Sequence, residues 1–104
     1  RLQTPEMFSG VTITANGFYG PQGRELRLPI ADESYKEVLH NFNYNGHRLT
    51  NFEMESAMVA GLAKLMGHKA VTICSIIAGR MAGKANTNYK GGIEDLIKIV
   101  LDRI

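Results

Sequence analysis

Hydrophobic and polar positions follow two periodicities along this chain, one typical of strands and one typical of helices. Residues 11–19 are rich in β-branched and aromatic side chains and predict a strand that ends at the turn formers of residues 20–23. Short extended segments are expected at residues 25–30 and 50–54. Residues 69–78 are β-branched and almost wholly apolar, which predicts a strand covered on both faces.

Two helices are predicted from the middle of the chain. Residues 33–42 carry apolar side chains at positions i, i+3, i+4 and i+7, and either Asp32 or Ser34 can cap this helix. Residues 55–66 are good helix formers, and Gly67 follows where a left-handed residue closes many helices.

The last quarter of the chain predicts a loop and a third helix. Residues 79–92 are polar and rich in glycine, which is typical of a mobile loop, and residues 93–103 place their apolar side chains on one helical face. Strands and helices therefore alternate along the chain. This order favours an α/β layer architecture with short right-handed crossovers.

Composition excludes several classes of protein. A chain of 104 residues with 44% hydrophobic residues has the size and character of one globular domain. Its net charge of +2 is small and no lysine–arginine run is present, so a nucleic-acid polymer is not an expected partner. Its apolar stretches fall short of the ~18 residues of a membrane span. The single Cys74 cannot form an internal disulfide, which predicts a cytoplasmic protein, and three dispersed histidines predict no metal site.

One segment that is unusually polar for its position follows the first strand, at residues 18–24. Ligands of open α/β sheets bind beyond the carboxyl ends of strands. The amide of Gln22 and the guanidinium of Arg24 are suited to holding a flat heterocycle with carbonyl oxygens and an imide N–H, with Phe18 covering it. A surface turn with incidental polar residues is the alternative.

A second such segment, residues 50–57, leads into the second helix. It places the carboxylates of Glu53 and Glu55 on either side of Met54. Two carboxylates at such a junction can accept strong hydrogen bonds from a vicinal diol. The alternative is helix capping, because acidic residues favour the positive end of a helix.

These two segments resemble a known family. Residues 51–57, Asn-Phe-Glu-Met-Glu-Ser-Ala, resemble the ribose-binding signature of the hexameric nucleoside phosphorylase superfamily. The Phe-Tyr-x-x-Gln-x-Arg pattern at residues 18–24 is similar to the uracil-recognition segment of its uridine phosphorylases, and the likeness covers residues 10–104. The resemblance implies a three-layer fold with a central mixed sheet flanked by helices. Residues 1–104 are then expected to be the carboxy-terminal part of one domain, without its amino-terminal phosphate-binding part.

The resemblance also implies roles for individual residues. Gln22 and Arg24 are expected to bind the carbonyls and ring N–H of uracil, and Phe18 to line the nucleoside pocket. Glu55 is expected to bind the ribose hydroxyls, supported by the backbone N–H of Met54. Arg24 and Glu55 are the expected catalytic residues.

Further residues are implied in less direct roles. Glu53 is expected to contribute near the ribose, and Ile76, Ile77 and Ala78 to flank the base. Arg80 is expected at the root of a loop that closes over the site. Purine-specific relatives place Ser-Asp where this chain has two isoleucines, and an isoleucine cannot protonate a purine. The difference supports a pyrimidine substrate.

The turn at residues 20–23 departs from the family pattern. Gly20 precedes Pro21, the reverse of the expected order, and Gly23 replaces an acidic residue, which leaves the base preference open. No glycine-rich phosphate loop precedes Val11, and the chain opens at Arg1 and not at Met, so we expect the phosphate site to lie outside it.

The resemblance finally implies an activity in nucleoside catabolism and pyrimidine salvage. The expected reaction is glycosyl transfer from uridine to inorganic phosphate, a co-substrate, giving uracil and ribose 1-phosphate without cofactor or metal. The expected partners are nucleoside and phosphate, with no membrane, and the intact enzyme is expected to be a homo-oligomer, a hexamer built from dimers. The alternatives are a nucleosidase of the same superfamily, and an inactive fragment that only assembles with partner chains.

Overall fold

The computed structural model describes residues 2–79 and 83–104. The chain divides into two compact units. We call Ser9–Thr72 the central unit, and the residues up to Phe8 together with Ile73–Ile104 the terminal unit. Within the described residues, three α-helices and two small sheets form, so the predicted mixed α/β class is confirmed.

The central unit is built on a mixed three-stranded sheet. Its strands are β1 (Val11–Thr14), β2 (Asn43–Tyr44) and β3 (His47–Glu53), in the order β1-β3-β2. β1 runs parallel to β3, and this pairing sets Thr14 opposite Glu53. β-branched residues favour the pleated backbone of β1. The first strand is shorter than predicted, because the chain turns away after its fourth residue.

A tight hairpin joins β2 to β3. Asn45 and Gly46 both have positive φ, 50° and 82°, as a type I′ turn requires. The side-chain oxygen of Asn43 accepts a hydrogen bond from the N–H of Gly46 at 3.0 Å. This hairpin was not predicted, although an Asn-Gly pair such as Asn45-Gly46 is a strong signal for one.

Two helices of the central unit confirm the sequence prediction. α1 (Tyr35–Asn41) follows Ser34, and the carboxylate of Asp32 accepts hydrogen bonds from the N–H and hydroxyl of Ser34 at 2.9 and 2.7 Å. α2 (Ser56–Leu65) ends in a Schellman motif, in which Gly67 takes a φ of 76°. Residues 25–30 are not a strand, contrary to expectation.

The structure contradicts the predicted strand at residues 69–78, a segment that runs from the end of the central unit into the terminal unit. Residues 68–77 form no regular element, and Val71 and Ile76 are 70% and 56% exposed. Only β4 (Ala78–Gly79) is extended and paired, antiparallel to β5 (Lys84–Ala85). A strand needs a neighbour for its N–H and C=O groups, and the described residues supply one only at this short hairpin.

The terminal helix begins earlier than expected. α3 spans Tyr89–Leu101 and takes Gly91 and Gly92 into its first turns. The predicted loop at residues 79–92 is therefore partly wrong, since a hairpin and the start of α3 occupy much of it. None of the helices in the described ranges is long and apolar enough to cross a lipid bilayer.

Candidate functional site

The segment that follows β1 folds into a compact turn. A 3₁₀ helix, Gly20–Gln22, brings the N–H groups of Gln22 and Arg24 to the carbonyl of Tyr19, both at 3.0 Å. Gly23 closes the turn with a φ of 70°, a conformation that glycine adopts without steric cost. The turn buries Gln22, which is only 6% exposed. Residues 18–24 are thus a folded polar element.

Arg24 is held against an aromatic ring in this turn. Its guanidinium carbon lies 4.0 Å from the centroid of the Phe18 ring, a cation–π contact. Phe18 in turn packs edge-on against Tyr19, with ring centroids 5.3 Å apart. The Arg24 Nε is buried and has no hydrogen-bond acceptor among the residues that the structure describes. Most buried donors in folded proteins have an acceptor, so this unpaired Nε is unusual.

The turn is anchored to α1 by a contact that sequence analysis missed. The hydroxyl of Tyr35 donates a hydrogen bond to the carbonyl of Pro21 at 2.8 Å. From the sequence, Tyr35 was predicted only to lie in the helix of residues 33–42. Its phenol group joins the first turn of that helix to the polar turn, which fixes the backbone beside Gln22.

Glu53 is the most constrained carboxylate of the central unit. Its Oε1 accepts a hydrogen bond from the hydroxyl of Thr14, and its Oε2 accepts bonds from the N–H groups of Glu55 and Ser56 at 2.7 and 2.6 Å. Burial is the largest single influence and acts to raise the pKa of this carboxyl. Hydrogen bonds from two side-chain hydroxyls and two backbone N–H groups outweigh it and lower the pKa of Glu53 to about 2.

Glu55 differs from Glu53 in its surroundings. Its side chain is exposed, and its Oε2 accepts a hydrogen bond of 3.3 Å from the N–H of Met54. The backbone N–H of Met54 therefore lies beside this carboxylate. Glu53 accepts hydrogen bonds from the N–H groups at the start of α2, while the side chain of Glu55 is exposed.

Thr14 holds the second polar segment against β1, and it was not singled out from the sequence. Besides Glu53, its hydroxyl contacts the hydroxyl of Ser56 at 3.2 Å and accepts a hydrogen bond from the N–H of Ala57 at 2.9 Å. The signal that identifies Thr14 is the parallel pairing of β1 with β3. That pairing was not predicted.

An open cavity of about 1360 Å³ lies at this end of β1. Thr14 and Arg24 both line it, together with apolar side chains such as Leu26 and Leu28. The other expected substrate-binding residues of the central unit are not part of its described walls, namely Phe18, Gln22, Glu53, Met54 and Glu55. The cavity therefore borders the turn at residues 18–24 and the end of β1, and none of residues 50–57 lines it.

The remaining expected site residues lie elsewhere in the chain. Ile76 and Ile77 belong to the terminal unit, where the carbonyl of Ile77 accepts a hydrogen bond from the N–H of Asn86 at 2.7 Å. Arg80 lies outside the described residues. Within residues 2–79 and 83–104, no group of three or more histidine, cysteine or acidic side chains converges as a metal site would require.

The central unit holds both motifs in folded form, with Glu53 fixed at the end of a parallel strand pair and Arg24 held on the ring of Phe18. The family model described as the phosphorylase superfamily matches residues 1–100. The chain belongs to this superfamily, so the resemblance seen in the sequence is confirmed.

Three individual proteins of known name are similar to this chain. The chain is similar to "Inactive uridine phosphorylase B" of Schistosoma mansoni, with 37% identity over 69% of this chain and 24% of the relative. It is also similar to "Uridine phosphorylase A" of Schistosoma mansoni, with 36% identity over 71% of this chain and 25% of the relative. For "Uridine phosphorylase" of Thermococcus kodakarensis (strain ATCC BAA-918 / JCM 12380 / KOD1), the identity is 31% over 72% of this chain and 26% of the relative. The chain thus spans about a quarter of the length of these curated relatives. No solved structure matches this chain with the significance that these three relatives reach.

Proposed function

We propose that this chain supplies the base-binding and ribose-binding groups of a nucleoside phosphorylase that converts uridine and phosphate to uracil and ribose 1-phosphate. The observation that carries the proposal is Arg24, whose guanidinium is fixed over Phe18 while its buried Nε has no described acceptor. An arginine held in this way is a preorganised donor for an anionic heterocycle. Two relatives named uridine phosphorylase support the choice of base.

In the proposed reaction, an oxygen of phosphate bonds to C1′ of the ribose while the bond from C1′ to N1 of uracil breaks. The electron pair of that bond leaves with the base, so negative charge develops on uracil and positive charge on the ribose. Arg24 and Gln22 would donate hydrogen bonds to the uracil oxygens, where this charge appears. Their positions are set in advance by the turn and by Phe18. Such preorganisation lowers the barrier because no reorientation of donors is needed.

The ribose contact is assigned to Glu55. Its exposed carboxylate can accept hydrogen bonds from the 2′ and 3′ hydroxyls, and the N–H of Met54 fixes one of its oxygens. Glu53 has both oxygens engaged within the protein and would act on the ribose only indirectly. Ile76 and Ile77 are proposed to flank the base, and Arg80 to stand at the loop that covers it.

The rest of the active site is proposed to come from outside these residues. The matched part is about a quarter of each relative, and we propose that the chain is the carboxy-terminal part of a three-layer phosphorylase domain. We call the protein that joins it to the remainder of that domain the intact enzyme. The intact enzyme is proposed to be a hexamer built from dimers, and phosphate to be its co-substrate.

The test is uracil release by the intact enzyme, measured with uridine in the presence and absence of phosphate. The proposal expects release only with phosphate, and formation of ribose 1-phosphate in equal amount. Equal release in both conditions, with free ribose as the other product, would identify a nucleosidase and contradict the phosphorylase assignment. A purine nucleoside is the matched control substrate and should be a poor one.

A second candidate function is that of a catalytically inactive family member, which binds nucleoside without cleaving it. A relative with 37% identity carries the name "Inactive uridine phosphorylase B", which favours this possibility. The two candidates differ in one measurement. Calorimetry should detect uridine binding in both, whereas uracil appears only if the intact enzyme is active.

A further inference from the structure

The hydroxyl of Thr14 occupies the junction between β1, β3 and α2. Its residue pairs with Glu53 in the parallel ladder, and its side chain reaches Glu53, Ser56 and the N–H of Ala57. We propose that Thr14 is a positioning residue, which holds the ribose-binding carboxylate of Glu55 in place through Glu53. The inference rests on the proposed function, because that function gives Glu55 its role.

The hydrogen bonds at this junction can be assigned a direction. A threonine hydroxyl has one proton and two lone pairs. The N–H of Ala57 can only donate, so it uses one lone pair of Thr14. Glu53 is ionised at neutral pH and can only accept, so the proton of Thr14 points to Oε1 of Glu53. The hydroxyl of Ser56 also lies 3.2 Å from that of Thr14. The proton and one lone pair of the Thr14 hydroxyl are therefore engaged, by Glu53 and by the N–H of Ala57.

Glu53 transmits this constraint to Glu55. With Oε1 held by Thr14, its Oε2 accepts the N–H groups of both Glu55 and Ser56, at 2.7 and 2.6 Å. Those two bonds fix the backbone from which the Glu55 side chain departs. Loss of the Thr14 hydroxyl removes one anchor of the carboxylate and leaves the N–H of Ala57 without its acceptor. Glu55 would then lose the position that binding of ribose hydroxyls requires.

The same strand contains a matched control. The hydroxyl of Thr12 donates a hydrogen bond to the side-chain oxygen of Asn51 at 2.9 Å, across the same pair of strands. Thr12 and Thr14 are both half-buried, and each pairs directly with its hydrogen-bonding partner in the ladder. The described residues therefore offer two hydrogen bonds from a threonine of β1 to a side chain of β3, one to Glu53 and one to Asn51.

Steady-state kinetics of the intact enzyme test the proposal. Thr14→Val keeps the shape of the side chain and removes its hydroxyl, and it should lower kcat/KM for uridine by about 10- to 100-fold. Most of that loss should disappear with 2′-deoxyuridine, because a misplaced Glu55 has one hydroxyl fewer to recognise. Thr14→Ser should restore activity, and Thr12→Val should stay within about threefold of the wild type. If Thr14→Val loses kcat/KM equally with uridine and 2′-deoxyuridine, or if Thr12→Val loses as much as Thr14→Val, the role of Thr14 is only structural.

Amide hydrogen exchange supplies a readout that does not depend on activity. In Thr14→Val, residues 54–58 should exchange about tenfold faster than in the wild type, since a bond to an ionised carboxylate is lost. Thr12→Val should leave these amides unchanged. Unchanged exchange in Thr14→Val would overturn the positioning role, whatever the kinetics. If Thr14→Val exchanges faster than the wild type but the wild type itself releases no uracil, the hydrogen-bond network is supported and the proposed activity is rejected.

Discussion

The guanidinium carbon of Arg24 lies 4.0 Å from the centroid of the Phe18 ring. The two residues are six positions apart, and the 3₁₀ turn of Gly20–Gln22 is what brings them together. Stacking on the ring restrains the planar guanidinium and leaves its edge available for hydrogen bonds. The buried Nε on that edge has no acceptor within the described part of the chain. Arg24 is therefore the side chain whose removal should be most informative.

Arg24→Ala in the intact enzyme should lower kcat/KM for uridine by roughly 10²–10³, the typical cost of one preorganised donor. Arg24→Lys should recover little of this loss, because an ammonium group lacks the planar fork of donors. Steady-state uracil release measures both variants.

The control for this prediction is Arg48→Ala. Arg48 is exposed and donates to the backbone carbonyl of His40 at 3.3 Å, so its removal should leave kcat/KM nearly unchanged. If Arg24→Ala behaves like Arg48→Ala, residues 18–24 form a surface turn and the base-binding role of Arg24 is wrong.

The ionised form of Glu53 should contribute stability that depends on pH. Its pKa is about 2 in the folded chain, below the ordinary 4.5, because hydrogen bonds to the carboxylate outweigh the effect of burial. A lowered pKa means that the contribution is present above about pH 4.5 and is lost as the pH falls towards 2. Glu53→Gln should therefore lower the melting temperature of the intact enzyme at pH 7, and the gap from the wild type should narrow as the pH approaches 2.

An exposed ion pair supplies the control for Glu53. Lys36 and Glu25 lie 2.8 Å apart, with 57% and 45% of their side chains exposed. Such pairs contribute no more than about 1 kcal/mol, so Glu25→Gln should change the melting temperature little. A gap for Glu53→Gln that stays constant from pH 7 down to pH 3 would show that the hydrogen bonds to its carboxylate do not depend on its charge.

Local patterns in the sequence were sufficient for the elements that depend on neighbouring residues. The stripe that predicted α1, the helix formers that predicted α2 and the left-handed Gly67 all depend on residues a few positions apart, and the structure confirms both helices and this glycine. The strand at residues 69–78 was wrong because an apolar run becomes a strand only beside a partner, which the run itself does not encode.

Among the polar residues of the candidate site, those in local motifs could be predicted and those defined by distant contacts could not. Glu53 and Arg24 stood out from their motifs, whereas Thr14 and Tyr35 did not. The hydrogen bond between Thr14 and Glu53 spans 39 positions, and the one between Tyr35 and Pro21 spans 14. Both depend on how β1, β3 and α1 come together in the central unit. That arrangement is a property of the whole unit and is not contained in any one segment.

The 104-residue chain taken alone should release no uracil. A phosphate dianion beside a ribose requires several convergent donors, typically arginines and backbone N–H groups. Among the described arginines, Arg24 is assigned to the base, and Arg48 and Arg103 donate to the backbone carbonyls of His40 and Ile99. Incubation of the purified chain with uridine and phosphate checks this expectation, and measurable phosphorolysis would show that the phosphate site lies within these residues.

The same isolated chain should self-associate through α2. Large apolar side chains of this helix and its end are exposed, with Leu65 at 85% and Met58 at 70%, and a contiguous apolar surface of this kind favours contact with another chain. Sedimentation should therefore show an average mass that rises with concentration. Leu65→Lys should require an about tenfold higher concentration to associate, because contact would bury an unpaired ammonium group. Phe8→Lys, which replaces an apolar residue that is 93% exposed but outside α2, should not. A monomer at every concentration would show that the exposed face of α2 is not sufficient to hold two chains together.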